Sequence, residues 1–277
     1  MDRSSESAAG TLSRWWGHAV ILIMVFGFSV LIGMAVRAYE DAPPIPDRVV
    51  DQAGATLFTR QDILAGQQVF LKHGLMENGT IWGHGAYLGP DFSAAYLHAL
   101  GQDVRDWLAA RRGAPAAPPV TVGDEVLGAE VAGLLQANRY DPATGTLLFT
   151  PPEAASFHRQ IAVWNKYFAS PDTSRGLTPR TIDDPTEMTR LTAFFAWTAW
   201  ASVARRPGSA DSYTNNFPFD PSVGNQPGSA SILWSALSLI ALLAGIALTL
   251  FSFGKFDFLG WKGGDGHVHP RMLPGET

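Results

Sequence analysis

Cysteine is absent from all 277 residues. That gap excludes disulfide bridges, thiolate catalysis, iron–sulfur clusters, cysteine-ligated copper and covalently attached haem c in this chain. Charge is scarce too: Asp, Glu, Lys and Arg make up 16% of the residues, against roughly 25% in ordinary soluble domains. Hydrophobic residues reach 46%. A uniformly water-soluble protein is a poor match, and one wholly embedded in lipid would be more apolar still. The balance predicts membrane helices joined to a sizeable aqueous domain. A net charge of −5 lacks the basic surplus of a nucleic-acid interface, so no nucleic-acid partner is expected.

Two uncharged runs are long enough to span a bilayer. Ala19 to Val36 has 18 residues and covers about 27 Å at 1.5 Å per residue, close to the roughly 30 Å hydrocarbon core. Trp15 and Trp16 precede it, where an aromatic belt would sit. Ile232 to Phe253 is a second run, of 22 residues, with Trp234 near its start. The first run exceeds the apolar stretch of a cleaved leader, and Arg37 follows it with no Ala-x-Ala site, so it reads as an anchor. Arg3 and Arg14 precede the first span, and Lys255, Lys262 and Arg271 follow the second. The basic flanks predict a cytoplasmic segment 1–18, spans at 19–36 and 232–253, a domain at 37–231 on the far side, and a cytoplasmic tail at 254–277. In a bacterium the far side is the periplasm and the membrane is the inner one.

The domain between the spans is predicted to be mainly α-helical with small β-hairpins. Ala42-Pro-Pro-Ile-Pro46 reads as a stiff linker. Arg48 to Thr59 reads as a hairpin around Gln52-Ala53-Gly54, and Tyr140 to Phe149 as another around Asp141–Gly145. Thr59 with Asp62 three residues later has the form of a capping box opening a helix. Residues 113–119, Gly-Ala-Pro-Ala-Ala-Pro-Pro, read as a surface loop or seam. Asp184 and Pro185 start a helix to Val203 whose Leu191, Phe194, Phe195, Trp197 and Trp200 form one broad aromatic face. That face serves either core packing or contact with another membrane subunit.

Residues 64–98 carry the chemistry. Glycines at 74, 79, 83, 85 and 89 permit positive φ angles and close backbone approach. Gly83-His84-Gly85-Ala86-Tyr87 reads as a tight Gly-x-Gly turn presenting carbonyls and a phenol. Those are hard oxygen donors, suited to calcium rather than zinc or copper, although most glycine turns only turn.

Thr80-Ile-Trp-Gly-His-Gly-Ala-Tyr-Leu-Gly-Pro-Asp-Phe92 resembles the segment that follows the haem-attachment motif in the cytochrome c subunit of bacterial nitric oxide reductases. From Ala42-Pro-Pro through Asp62-Ile-Leu-Ala-Gly-Gln67 to Tyr87, and again at Tyr213-Thr-Asn-Asn-Phe-Pro218 and Gly224-Asn-Gln-Pro227, the chain is similar to the N-terminal part of quinol-dependent nitric oxide reductases, in the haem–copper oxidase superfamily. The resemblance implies a cytochrome c-like periplasmic domain lacking haem c, flanked by two transmembrane helices. Where the cytochrome subunit has Cys-x-x-Cys-His, this chain has Leu75-Met-Glu-Asn-Gly79. His73 lies nearby and is read as exposed or structurally bonded, with haem ligation the other use.

On this resemblance Gly85 (carbonyl) and Tyr87 (carbonyl or phenol) carry over as contacts to a calcium ion shared with haem propionates, or Tyr87 simply hydrogen-bonds a propionate. Membrane quinol is the implied electron donor. The implied partner is a twelve-helix catalytic subunit holding haem b, haem b3 and non-haem iron, which converts two NO, two electrons and two protons to N2O and water. The chain is then a non-catalytic subunit capping that site, in a divided enzyme or as a piece of a longer one. A stand-alone membrane-anchored binding or sensor module, and an accessory subunit of an oxygen-reducing haem–copper oxidase, are the other readings. His267-Val-His269 reads as polar tail rather than a metal site.

Overall fold

The structure, a computed structural model, describes residues 14–112, 122–169 and 176–256. The loop at 113–119 and the His267/His269 pair lie outside the described residues. Two helices are long and apolar enough to cross a membrane: α1 (Arg14–Glu40) and a last helix, α7 (Ser229–Phe256). Neither buries any of its apolar window within the protein. A soluble core helix does the reverse, so these surfaces are favourable only against lipid or another protein. Both helices overrun the apolar stretches read from the sequence. α1 continues through Arg37 and stops ahead of Pro43-Pro44, since residues before proline avoid helical φ/ψ. The last helix starts directly after Pro227-Gly228.

Residues 41–228 form a separate unit. The first hairpin pairs β1 (Arg48–Val50) with β2 (Thr56–Thr59), antiparallel. Its turn is held by Asp51, whose Oδ1 accepts from the N–H groups of Ala53 and Ala55. The second pairs β5 (Tyr140–Asp141) with β6 (Thr146–Leu148), likewise antiparallel. Between them in sequence lies a third, tighter hairpin of β3 (Thr80–Ile81) and β4 (His84–Gly85). The first two hairpins join into one four-stranded sheet, β2-β1-β6-β5, through a parallel β1–β6 pairing. In that pairing Val49 faces Leu147, and both are fully buried. Arg139, just before β5, makes a two-pronged contact of 2.6 and 2.7 Å with Glu153. Burial pushes the Glu153 carboxyl above its ordinary range, against the pull of Arg139 and the Thr150 hydroxyl.

Five helices surround this framework: α2 (Arg60–Lys72), α3 (Phe92–Arg111), α4 (Val122–Gln136), α5 (Pro151–Ala169) and α6 (Pro185–Val203). Local chemistry starts three of them. Thr59 and Asp62 form the capping box of α2, Asp91 caps α3, and Asp184 caps α6 with Pro185 following. α6 is the central strut, with α2, α3 and α5 packed on it. Leu191, Phe194, Phe195, Trp197 and Trp200 are all buried, so its aromatic face is core. Phe195 stacks on Phe92 at 4.9 Å and 7°, and Phe70 and Trp164 meet it edge-on. α2 crosses α6 so closely that a side chain at Gly66 would run into the Arg190 carbonyl.

Candidate functional site

The hairpin β3–β4 turns on two residues, Trp82 and Gly83, with φ of 52° and 76°. Positive φ at both central positions is the pattern of a type I′ turn, which matches strand twist. The tight turn therefore lies one residue ahead of the Gly-x-Gly step read from the sequence, and His84-Gly85 is strand. Trp82 is a non-glycine residue held in a costly conformation. Its neighbours hold it there. Its backbone N–H donates to Ser93 Oγ at 3.0 Å, its indole N–H donates to the Thr198 carbonyl at 3.0 Å, and its ring packs 5.5 Å from Trp197. Trp197 in turn donates from its indole to the Pro44 carbonyl at 3.0 Å. The hairpin is thus braced through α6 to the proline linker that follows α1.

Asp91 organises the loop from below. One carboxylate oxygen accepts from Thr80 Oγ1 and the Gly83 N–H, each at 2.7 Å, and the other caps α3 through the Ala94 N–H. Sequence reasoning missed it, although an Asp directly ahead of a helical run is a capping signal. Gly85 has φ of +139°, and a Cβ there would collide with the Gly79 carbonyl. Only glycine fits this close approach. Tyr87 projects outward, 85% exposed, with its hydroxyl donating to the Gly83 carbonyl at 3.3 Å.

The Tyr213–Pro218 segment meets this hairpin at Phe217, and the Gly224–Pro227 segment is hydrogen-bonded to that segment in turn. Asn225, fully buried, donates from Nδ2 to the carbonyls of Ser202 and Pro218. Asn216 donates to the Gln226 carbonyl and to Asp211. Asn215 and Asn216 both take left-handed backbone, which asparagine tolerates. The result sets the Phe217 ring on Gly83, where a Cβ would lie 3.1 Å from its Cζ. Phe217 and Phe219 stay exposed, as do Tyr87 and Leu88. Beside Phe219 runs an open groove of about 610 Å³ lined also by Asp91, His98 and Asp220. Segments more than a hundred residues apart therefore meet at Gly83 and Phe217, and each carries exposed apolar side chains.

His73 caps the C-terminus of α2 and lies 3.0 Å from Glu187 of α6, which Lys72 also contacts at 2.6 Å. Hydrogen bonds from Lys72 and His73 hold the Glu187 carboxyl below its ordinary range. This bridge between two helices is a structural use of the histidine.

The residues do not fit haem c. No cysteine exists to form a thioether. Leu75 is fully buried in the short turn Leu75–Glu77, and Phe70, Phe194 and Trp197 crowd in beside Trp82. The apolar cavity left there measures about 260 Å³, below the roughly 300 Å³ at which small-molecule pockets begin. For calcium the fit is partial. Gly85 and Tyr87 offer oxygens at an exposed loop, while calcium takes six to eight. Among the described residues no three His, Asp or Glu side chains gather to supply the rest.

A helical, cytochrome c-like domain between two apolar helices defines the class: a membrane protein whose domain keeps the cytochrome c-like form without the means to attach haem c. The family model for the cytochrome c-like domain of the nitric oxide reductase protein NorB matches residues 46–219. The chain belongs to that family. No curated protein matches it.

Proposed function

We propose that the chain is a non-catalytic subunit, or the N-terminal part, of a quinol-dependent nitric oxide reductase. The domain lies on the periplasmic side of the bacterial inner membrane, with both termini cytoplasmic. Its exposed Tyr87, Leu88 and Phe219 seat on the partner subunit that holds haem b, haem b3 and non-haem iron. Family membership over residues 46–219 supports the assignment. The observation that carries the docking role is the packing of the Phe217 ring on Gly83, which joins two segments whose Tyr87, Leu88 and Phe219 are exposed. Exposed aromatics beside a braced, preshaped loop suit an obligate interface.

In this reading the Gly85 carbonyl and a Tyr87 oxygen supply part of a calcium shell completed by the partner's carboxylates. A dication there neutralises clustered negative charge and fixes the spacing of the two halves. Electrons come from membrane quinol directly to the partner, since this chain has no cysteine to attach a haem c relay.

The test is purification of the chain from its own membranes in mild detergent. A stoichiometric partner with a haem b spectrum is expected, and a monodisperse chain free of haem would overturn the reading. Tyr87→Phe should reduce quinol-driven NO turnover or haem reduction more than it reduces recovery of the complex. Equal losses in both would limit Tyr87 to assembly.

A further inference from the structure

Beyond the C-terminal end of α6 lies a cleft that the reductase reading leaves unused. It measures about 500 Å³ and is lined by Gln136, Asn138, Tyr140, Arg205 and Arg206 among others. Arg205 is exposed, and its guanidinium donates to the neutral Gln136 Oε1 at 2.7 Å. No carboxylate pairs with it among the ion pairs of the described residues. Arg206 is anchored to Asp41 Oδ2 at 3.3 Å and to Asn215 Oδ1 at 2.8 Å. Its Nε is buried with no hydrogen-bond partner. Two adjacent guanidiniums against one carboxylate leave the cleft positive, and the exposed planar fork of Arg205 matches phosphate.

Chain continuity says where that phosphate comes from. Asp41 follows directly on Glu40, the last residue of α1. The span Gly17–Glu40 has 24 residues, about 36 Å of helix against roughly 30 Å of hydrocarbon, so its end reaches headgroup depth. Tyr39, exposed at that end, is a residue type found at the membrane interface. Asp41, which holds Arg206, is thus the residue directly after the end of the span.

We infer that the Arg205/Arg206 cleft binds the phosphate of an anionic phospholipid headgroup. The inference rests on α1 as a membrane span and is independent of the reductase reading. The full chain in non-ionic detergent is titrated with short-chain phosphatidylglycerol, phosphatidylcholine and inorganic phosphate, with native mass spectrometry and thermal stabilisation as readouts. Phosphatidylglycerol should bind best. Arg205→Gln should weaken it about tenfold, and Arg205→Lys, which keeps the charge but not the fork, by less. Because Arg205 is exposed, both variants should keep the wild-type circular dichroism and melting temperature, which Arg206 variants would not. Phosphatidylglycerol binding unchanged in Arg205→Gln would overturn the proposal. Inorganic phosphate binding as tightly as the lipid would overturn the headgroup as the source, and so would phosphatidylcholine binding equally well.

Discussion

Aromatic residues are concentrated in two places, and the places behave oppositely. Along α6 and the face of α3 they are sealed: Phe92 and Phe195 stack with no exposure, and Phe70, Trp164 and Phe168 close around them. Around the β3–β4 hairpin they stand in solvent, with Tyr87 at 85% and Phe219 at 66% exposure. The first set is spaced along helices and finds its partners inside the domain. The second sits on loops whose backbone is locked by Asp91, Asn216 and Asn225, so the side chains cannot fold inward. Burial here is decided by which backbone carries the ring. Composition does not decide it.

Three variants break or sharpen that contrast. Phe195→Ala should be the most damaging to stability, at about 3–5 kcal/mol, because it empties the centre of a stack that cannot collapse. Urea unfolding of the detergent-solubilised chain would measure it. Gly85→Ala should cost about 1–3 kcal/mol, since it places a side chain at a forbidden φ and against the Gly79 carbonyl. Faster hydrogen exchange of the Thr80–Gly85 amides would report the displaced hairpin. Phe219→Ala should change stability by no more than about 0.5 kcal/mol, yet weaken co-purification with the haem-bearing partner by about tenfold or more, as an exposed anchor would. If it destabilised the free domain as much as Phe195→Ala, the two aromatic sets would not differ.

The smallest effect concerns Glu187. Its folded carboxyl is depressed by hydrogen bonds from Lys72 and then His73. The unfolded chain therefore takes up the proton first as pH falls. The stabilisation is complete above the ordinary value of 4.5 and disappears as pH drops through the lower folded value. Glu187→Gln should flatten the acid limb of the stability curve, read from unfolding midpoints between about pH 3 and 5. The exposed pair contributes little at neutral pH.

Much of the architecture was legible along the chain. The capping box at Thr59 and Asp62, the Asp184-Pro185 helix start and the turn chemistry at Gly54 and Gly145 act over a few residues, so they are readable in order. The apolar runs in α1 and α7 announce themselves by length. The parallel register of Val49 with Leu147 was not legible, because no local rule selects between two hairpins that are each complete. Nor was the His73–Glu187 bridge, which joins residues on different helices. At the site, the Gly83–Tyr87 segment stood out by composition. Its turn position did not, since Trp82 adopts a conformation its residue type disfavours, and only Ser93, Thr198 and Trp197 hold it there.

Residue order alone settles that this chain has two lipid-length helices and a cysteine-free domain with no thioether anchor for haem c, because each follows from side-chain chemistry that no packing can alter. The meeting of Gly83 with Phe217, the outward face of Tyr87 and the cleft at Arg205 and Arg206 depend on long-range contacts. Those form only when burying the aromatic interior offsets the entropy of closing loops more than a hundred residues long.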